Sequence, residues 1–314
     1  MGEDSVFITG GAGFIGRWLV ARCLEEGLRV AVYDNLSTGK KENIVPFLKH
    51  IDFFEADILD YQSLKTSMDK VKPSVIFHLA AYHFIPFCNE HPLETIRVNV
   101  EGTYSVLRAA TECGVAKAVI ASTGAIYPSE ESPLSEDKAV APSDIYGLSK
   151  VLAEEIARFF ANTTQLRCIV ARLFNTYGPY ETNPHLIPHI IQSLHKAPRV
   201  ELGNIHTKRD YIYVEDVANL LLQCSRINDQ RYVVINIGTG REYSAQEIVA
   251  EIADLMGIQI EIVISPERIR AVDKLHQIAD ITKLVQLTGS RPQHSLREGL
   301  KKYLIHEGLL FNHT

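Results

Sequence analysis

Tyr146 and Lys150 stand four residues apart in the run Ser143-Asp144-Ile145-Tyr146-Gly147-Leu148-Ser149-Lys150. On a helix that spacing puts both side chains on one face, about one turn apart. A free phenol has a pKa near 10 and is a poor base at neutral pH. A lysine ammonium ~4 Å away contributes roughly 4 kcal/mol at an effective dielectric of 20. That lowers a tyrosine pKa by up to about 3, less solvent screening. The expectation is a Tyr146 that Lys150 tunes into a usable acid/base near neutrality. Ser122 and Thr123 follow an apolar run at 118–120 and are placed to hydrogen-bond a substrate hydroxyl. Taken alone, the Tyr/Lys pair better describes a half-buried aromatic beside a solvated lysine, so its meaning depends on the rest of the chain.

A second constellation lies near the start. The apolar run 6–8 leads into Thr9-Gly10-Gly11-Ala12-Gly13-Phe14-Ile15-Gly16, and a helix is expected to begin near Arg17. Glycines in that context let the backbone turn sharply and approach a pyrophosphate with no Cβ in the way. The helix start then offers unpaired N–H groups and a partial positive charge to the phosphates. Asp34 ends the next apolar run, about twenty residues on, as the dinucleotide fingerprint requires. A carboxylate there accepts hydrogen bonds from the adenosine ribose hydroxyls and repels a 2′-phosphate, which favours NAD over NADP. The positive nicotinamide ring of that cofactor pushes the Tyr146 pKa the same way as Lys150.

These groups must be carried by a regular scaffold. Continuous β-branched runs at 6–8, 29–33, 51–54, 74–77, 118–120 and 168–171 predict strands covered on both faces. Amphipathic segments at 18–26, 95–113 and 144–162 alternate with them, the last with Asp144 as a cap. The fold class is therefore α/β, a Rossmann-type doubly wound parallel sheet. After Asn175 the texture changes, with Gly178-Pro179, Pro184, Pro188 and Pro198 punctuating short pieces. We expect a cofactor-binding domain from 1–174 plus about 211–239, and a smaller α/β substrate-binding domain from about 175–210 and 240–314.

Composition narrows the class. The chain has 314 residues, 46% of them hydrophobic, and a net charge of −6. It lacks the positive field that nonspecific nucleic-acid binding needs. It also lacks the unbroken apolar run of ~18 residues that a membrane span needs. With no signal-peptide pattern at the start, a cytoplasmic enzyme is expected. The five cysteines contain no CxxC pair, so neither a zinc knuckle nor a redox dithiol is expected. His185 and His189 have helical i, i+4 spacing, but Pro188 intervenes and no carboxylate accompanies them, so no metal is expected.

Together these motifs resemble the extended short-chain dehydrogenase/reductase family, and within it the nucleotide-sugar epimerases and dehydratases, closest to the UDP-glucose 4-epimerase-like enzymes. Gly10, Gly13 and Gly16, with Phe14 and Ile15 between, fit that family's cofactor loop. Asp34 and Asn35 fit its second strand end, and Asp57-Ile58 its adenine contact. His78-Leu79-Ala80-Ala81 and Asn99 match two further cofactor motifs. Thr123, Tyr146 and Lys150 match its catalytic set, the last two also touching the cofactor. The resemblance implies sugar-nucleotide contacts from His83, Thr123, Asn175, Arg209 and Arg270, and places Gln277 near a gate on C2 substituents.

The departures sort the subgroup. Thr123-Gly124-Ala125-Ile126-Tyr127-Pro128 lacks the Asp-Glu pair of the family's 4,6-dehydratases and the glutamate of its decarboxylases. What remains implies an NAD-dependent 4-epimerase acting on a nucleotide-diphosphate sugar, a UDP-sugar foremost, through a 4-keto intermediate with internal hydride return. A C2 epimerase, an unusual dehydratase or a reductase are the alternatives on the same fold, and a non-enzymatic dinucleotide sensor a more distant one. The resemblance further implies a homodimer through the helices around 95–113 and 144–162.

Overall fold

The computed structural model describes residues 5–130, 133–269 and 274–311. The six apolar runs become six parallel strands: β1 (Ser5–Thr9), β2 (Arg29–Asp34), β3 (Ile51–Glu55), β4 (Val75–His78), β5 (Lys117–Thr123) and β6 (Arg167–Leu173). They are followed by β7 (Asn175–Tyr177), β8 (Arg199–Leu202), β9 (Lys208–Tyr213), β10 (Tyr232–Ile237), β11 (Glu242–Ser244) and β12 (Glu261–Ile264). The central sheet has seven strands in the order β10-β6-β5-β4-β1-β2-β3, all parallel. Every residue of β1 and β5 is buried, as a strand covered on both faces requires. The edge strand β3 is only partly buried. β10 is not among the six runs read from the sequence.

Strand order reverses beside β1: one direction along the chain leads to β2 and β3, the other to β4, β5 and β6. Ligands of open parallel sheets bind at such a switch point, outside the carboxyl ends of the strands. Two apolar clusters cover the faces of the sheet, one around Ile8, Leu19, Val32 and Leu221 and one around Phe7, Tyr33, Leu107 and Val170. The residues after β6 add a three-stranded sheet, β11-β9-β7, and a two-stranded pair, β12-β8. These pack on a third core that includes Tyr177, Ile190, Val200, Ile248 and Leu300.

Two helices depart from expectation in ways that matter for the site. The first spans Phe14–Glu25, starting three residues before Arg17, because extended Gly13 already serves as its cap. The stretch expected as one helix at 95–113 is a rod of helix Pro92–Ile96, a π-turn Arg97–Glu101 and helix Gly102–Glu112. The wider turn puts Asn99 where its carboxamide reaches two neighbouring segments. The helix Ile145–Thr163 agrees with the pattern, Asp144 accepting a hydrogen bond from the Gly147 N–H at 2.7 Å. Among the described residues no helix is long and apolar enough to cross a membrane.

Candidate active site

One cavity of about 1020 Å³ runs along the carboxyl ends of the central strands. That is at the upper end of the range for small-molecule sites, roughly 300–1,000 Å³, so it has room for more than one ligand. Every described residue proposed from the sequence as a site residue lines it, except Asn99. Arg270 lies outside the described residues.

The glycine turn is built for close approach. Gly10 has φ +73°, and a Cβ there would come within 2.7 Å of the Ala80 backbone nitrogen. A Cβ on Gly16 would lie 2.1 Å from the Gly10 carbonyl oxygen. Side chains are thus excluded from both positions, and helix Phe14–Glu25 has no side-chain cap on its first N–H groups. Asp34 closes the turn: Oδ2 accepts from the Ala12 N–H at 2.9 Å and Oδ1 from the Leu36 N–H at 2.8 Å. Burial raises its pKa, opposed by those two backbone bonds. Each oxygen keeps further lone-pair capacity toward the cavity, the chemistry that a ribose diol needs. Asn35 Nδ2 donates to Asp57 Oδ2 at 2.8 Å, joining two of the proposed cofactor residues at the rim. Helix start, glycine cradle and acidic strand end all fit a dinucleotide.

His78 fixes the wall opposite the glycines. Thr103 Oγ1 donates to the Asn99 carbonyl at 2.6 Å, so it accepts from His78 Nε2–H at 3.0 Å. His78 Nδ1 then accepts from Thr9 Oγ1 at 2.8 Å. Burial lowers the His78 pKa to about 3, with Lys150 adding to the effect, so the ring is neutral. Asn99 is buried behind the cavity wall. Its Oδ1 accepts from the Tyr82 N–H, and its Nδ2 donates to the Tyr82 carbonyl and to Ser149 Oγ, all at 2.8–2.9 Å. Its carboxamide ties the segment after β4 to the helix carrying Tyr146 and Lys150, which gives it a structural use rather than an opening to the cleft.

The Tyr/Lys pair differs from expectation. Tyr146 is buried, and the Thr123 hydroxyl that lines the same cavity accepts from the Ala125 N–H at 3.1 Å. Burial dominates and raises the Tyr146 pKa, with only the Thr123 hydroxyl opposing it. Lys150 is not among the groups that shift it; its ammonium donates to the Ala121 carbonyl, 2.9 Å away. Burial in turn lowers the Lys150 pKa to about 8. The sequence-based expectation counted a charge one helical turn away and left out desolvation of both groups, which opposes ionisation of each.

Ser122 also departs from its expected use. Its hydroxyl donates to Glu154 Oε1, inside the protein. Glu154 is paired bidentately with Arg172, Nε to Oε1 at 3.0 Å and Nη2 to Oε2 at 2.7 Å. Arg172 reaches on to the Tyr127 hydroxyl, which donates to Asn236 Oδ1 at 2.8 Å. This buried network beneath the ends of β5 and β6 was not legible from spacing, since its members come from four separate stretches of chain. At the far end of the cavity Gln277 donates to the Gly124 carbonyl at 2.6 Å. Arg209 donates to the carbonyls of Lys208 and Lys274, and Asn175 opens β7 with its side chain exposed.

His83, proposed from the sequence as a substrate contact, lies in the cavity wall beside Glu181 and His185, with their ligand atoms within 4.8 Å of one another. The expected absence of a metal rested on the pair His185/His189 without a carboxylate. In the fold His189 turns away to the Glu201 carbonyl, 2.9 Å from its Nε2, and the partners of His185 come from elsewhere in the chain.

Residues 6–238 match the model of the NAD dependent epimerase/dehydratase family. The UDP-glucose 4-epimerase of Mycolicibacterium smegmatis is 33% identical over 306 residues, covering 94% of this chain and 96% of that protein. Among solved structures, UDP-glucose 4-epimerase from Thermotoga maritima with UDP-glucose superposes with a TM-score of 0.90 at 32% identity, covering 96% of this chain and 98% of that one. The UDP-glucose 4-epimerase of Thermus thermophilus in complex with NAD gives a TM-score of 0.86 at 30% identity, covering 97% and 99%.

Proposed function

The chain belongs to the NAD-dependent epimerase/dehydratase family and is an NAD-dependent nucleotide-sugar 4-epimerase; from that premise we propose that its substrate is a UDP-sugar and that Tyr146, Thr123 and Lys150 carry the inversion at C4. The observation that supports this most is that buried Tyr146, Thr123 and Lys150 line the same cavity as the glycine turn and Asp34.

Bound NAD supplies a reversible hydride acceptor at the carbon being inverted. Gly10, Gly13, Gly16 and the first N–H groups of helix Phe14–Glu25 would hold its pyrophosphate, and Asp34 its adenosine ribose. Tyr146 Oη takes the proton from the C4 hydroxyl and later returns it, while Thr123 Oγ1 orients that hydroxyl. Lys150, released from the Ala121 carbonyl toward the nicotinamide ribose, brings its positive charge to bear on the Tyr146 phenolate. Asn175 and Arg209 anchor the diphosphate, which leaves the 4-keto sugar able to turn over and present its other face. Gly124 and Ala125 support epimerisation over dehydration, since neither offers a carboxyl group for loss of water; a Cβ on Gly124 would lie 3.2 Å from the Phe174 ring, a tight contact that the ring would have to relieve.

The small sheets of β7, β9 and β11 and of β8 and β12 would form the sugar-nucleotide domain. A homodimer would use the face on which Leu93, Tyr104, Leu152 and Phe159 are exposed. The reaction is tested by incubating the purified chain with UDP-sugars in deuterium oxide, without added NAD. The expected product is the C4 epimer with no deuterium on the sugar carbons; deuterium at C3, C4 or C5, or loss of water, overturns the reading.

A further inference from the structure

We infer that His83, Glu181 and His185 form a binding site for a zinc-class divalent cation in the cavity wall, open to the cavity on one side. His83 belongs to the segment after β4, and Glu181 and His185 to the loop between β7 and helix Leu186–Leu194, about a hundred residues away in sequence. The fold nevertheless brings one ligand atom from each to within 4.8 Å of the others. Glu181 is buried and His83 half-buried, while His185 is exposed and stands just before the helix.

Asn183 shows which groups face inward. Its Nδ2 lies 3.0 Å from His83 Nε2 and 3.2 Å from Glu181 Oε1, and its backbone N–H donates to the same Glu181 oxygen at 2.8 Å. A carboxylate only accepts, so the amide must present its NH2 side there. His83 Nε2 is then an acceptor: the inward nitrogen carries a lone pair, as a metal-ligating imidazole must. The partly positive NH2 group sits between a nitrogen lone pair and a carboxylate, and a cation bound to both would take its place as the Asn183 amide swings aside.

The donor set selects the metal. Two imidazoles and one carboxylate suit zinc and its neighbours, and form the three-ligand arrangement that leaves a fourth position open. Calcium and magnesium prefer all-oxygen shells. Metal–ligand distances of about 2.0–2.1 Å require tetrahedral donors roughly 3.4 Å apart. A contraction of up to about 1.4 Å from the 4.8 Å limit is within reach of the Glu181 carboxylate and the exposed His185 ring. All three residues line the cavity, so the open position faces it, and a hydroxyl- or carboxylate-bearing ligand is the class of molecule that completes the coordination.

The test is a Co2+ titration of the full chain followed by Zn2+ displacement, which reads the metal alone and does not depend on the proposed reaction. One Co2+ per chain with the intense visible absorption of a four- or five-coordinate ion is expected, displaced by one equivalent of Zn2+. Glu181→Gln and His185→Ala should each weaken binding at least tenfold, and His189→Ala should leave it unchanged. Thermal melts accompany every variant. If Glu181→Gln fails to fold, His185→Ala carries the test, since its ring is exposed. Only the weak spectrum of hydrated octahedral Co2+, or affinity unchanged in His185→Ala, overturns the site.

Discussion

Lys150 Nζ stands 2.9 Å from the carbonyl oxygen of Ala121, one helical turn after Tyr146, which is buried in the same cavity. The ammonium is buried with a neutral acceptor, and its pKa falls to about 8. An unfolded lysine titrates near 10.4. Between those values the unfolded chain holds a proton that the folded chain has lost, so Lys150 makes folding more favourable as pH rises through that window. The full effect is on the order of 3 kcal/mol. Urea unfolding of cofactor-free protein at pH 7.5 and pH 10 should therefore separate wild type from Lys150→Met. The wild type should gain stability relative to the variant at the higher pH, and parallel behaviour of the two would refute the burial argument.

Tyr146→Phe removes the proton carrier and little volume. Turnover should fall by ~10²- to 10⁴-fold, the range of general acid–base contributions, while NAD affinity stays within a few-fold. Thr123→Val should lower kcat less, because the phenol keeps its position on the helix. Steady-state kinetics with fluorescence titration of NAD reads both, and a near-normal kcat in Tyr146→Phe would remove the mechanism.

Asp34→Asn keeps the shape but gives up the carboxylate's charge at the adenosine ribose. A hydrogen bond to a charged group is worth about 1.5–3 kcal/mol, so NAD affinity should drop by at least about tenfold. NADP, freed from repulsion, should gain relative to NAD. Gly10→Ala is harsher, since its φ of +73° and the 2.7 Å approach to Ala80 both exclude a Cβ. Loss of cofactor binding without loss of secondary structure by circular dichroism is the expected outcome.

The exposed face with Leu93, Tyr104, Leu152 and Phe159 contains side chains from 38% to 86% accessible. Exposed apolar side chains on neighbouring helices are what a subunit interface would cover. Phe159→Glu places a charge in its midst and should convert a dimer into a monomer in analytical ultracentrifugation. A wild-type chain that sediments as a monomer at micromolar concentration would count against the homodimer.

Local rules made the first half of the chain readable. Buried parallel strands need unbroken apolar runs, and the glycine turn, Asp34 and the Tyr146/Lys150 spacing are each contiguous or periodic. Groups that meet only through tertiary structure were not readable. Glu154 and Arg172 look like surface charges on a helix and a strand until the two are packed. Glu181, His83 and His185 have no common spacing, and Asn99 owes its role to a π-turn that the sequence pattern does not announce. Electrostatics failed for a similar reason: the helical spacing of Tyr146 and Lys150 was right, but burial, not their mutual distance, controls both groups in the cofactor-free protein.

The pair Glu154–Arg172 gives the last prediction. Both side chains are about 6% exposed and joined by two hydrogen bonds. Ser122 hangs from the same carboxylate, one residue before Thr123. Removing either partner leaves the other charge buried and unpaired, at a cost of about 3–5 kcal/mol. Glu154→Leu and Arg172→Leu should each lower the melting temperature markedly. The double variant, with both charges gone, should be more stable than either single one, because the desolvation penalty disappears along with the attraction. If the pair served stability alone, the double variant would also recover kcat. If it instead holds the end of β5 in place beneath Thr123, kcat stays depressed while the NAD affinity and the melting temperature return. The second outcome is expected, because Ser122 would lose its anchor at the strand end that carries Thr123.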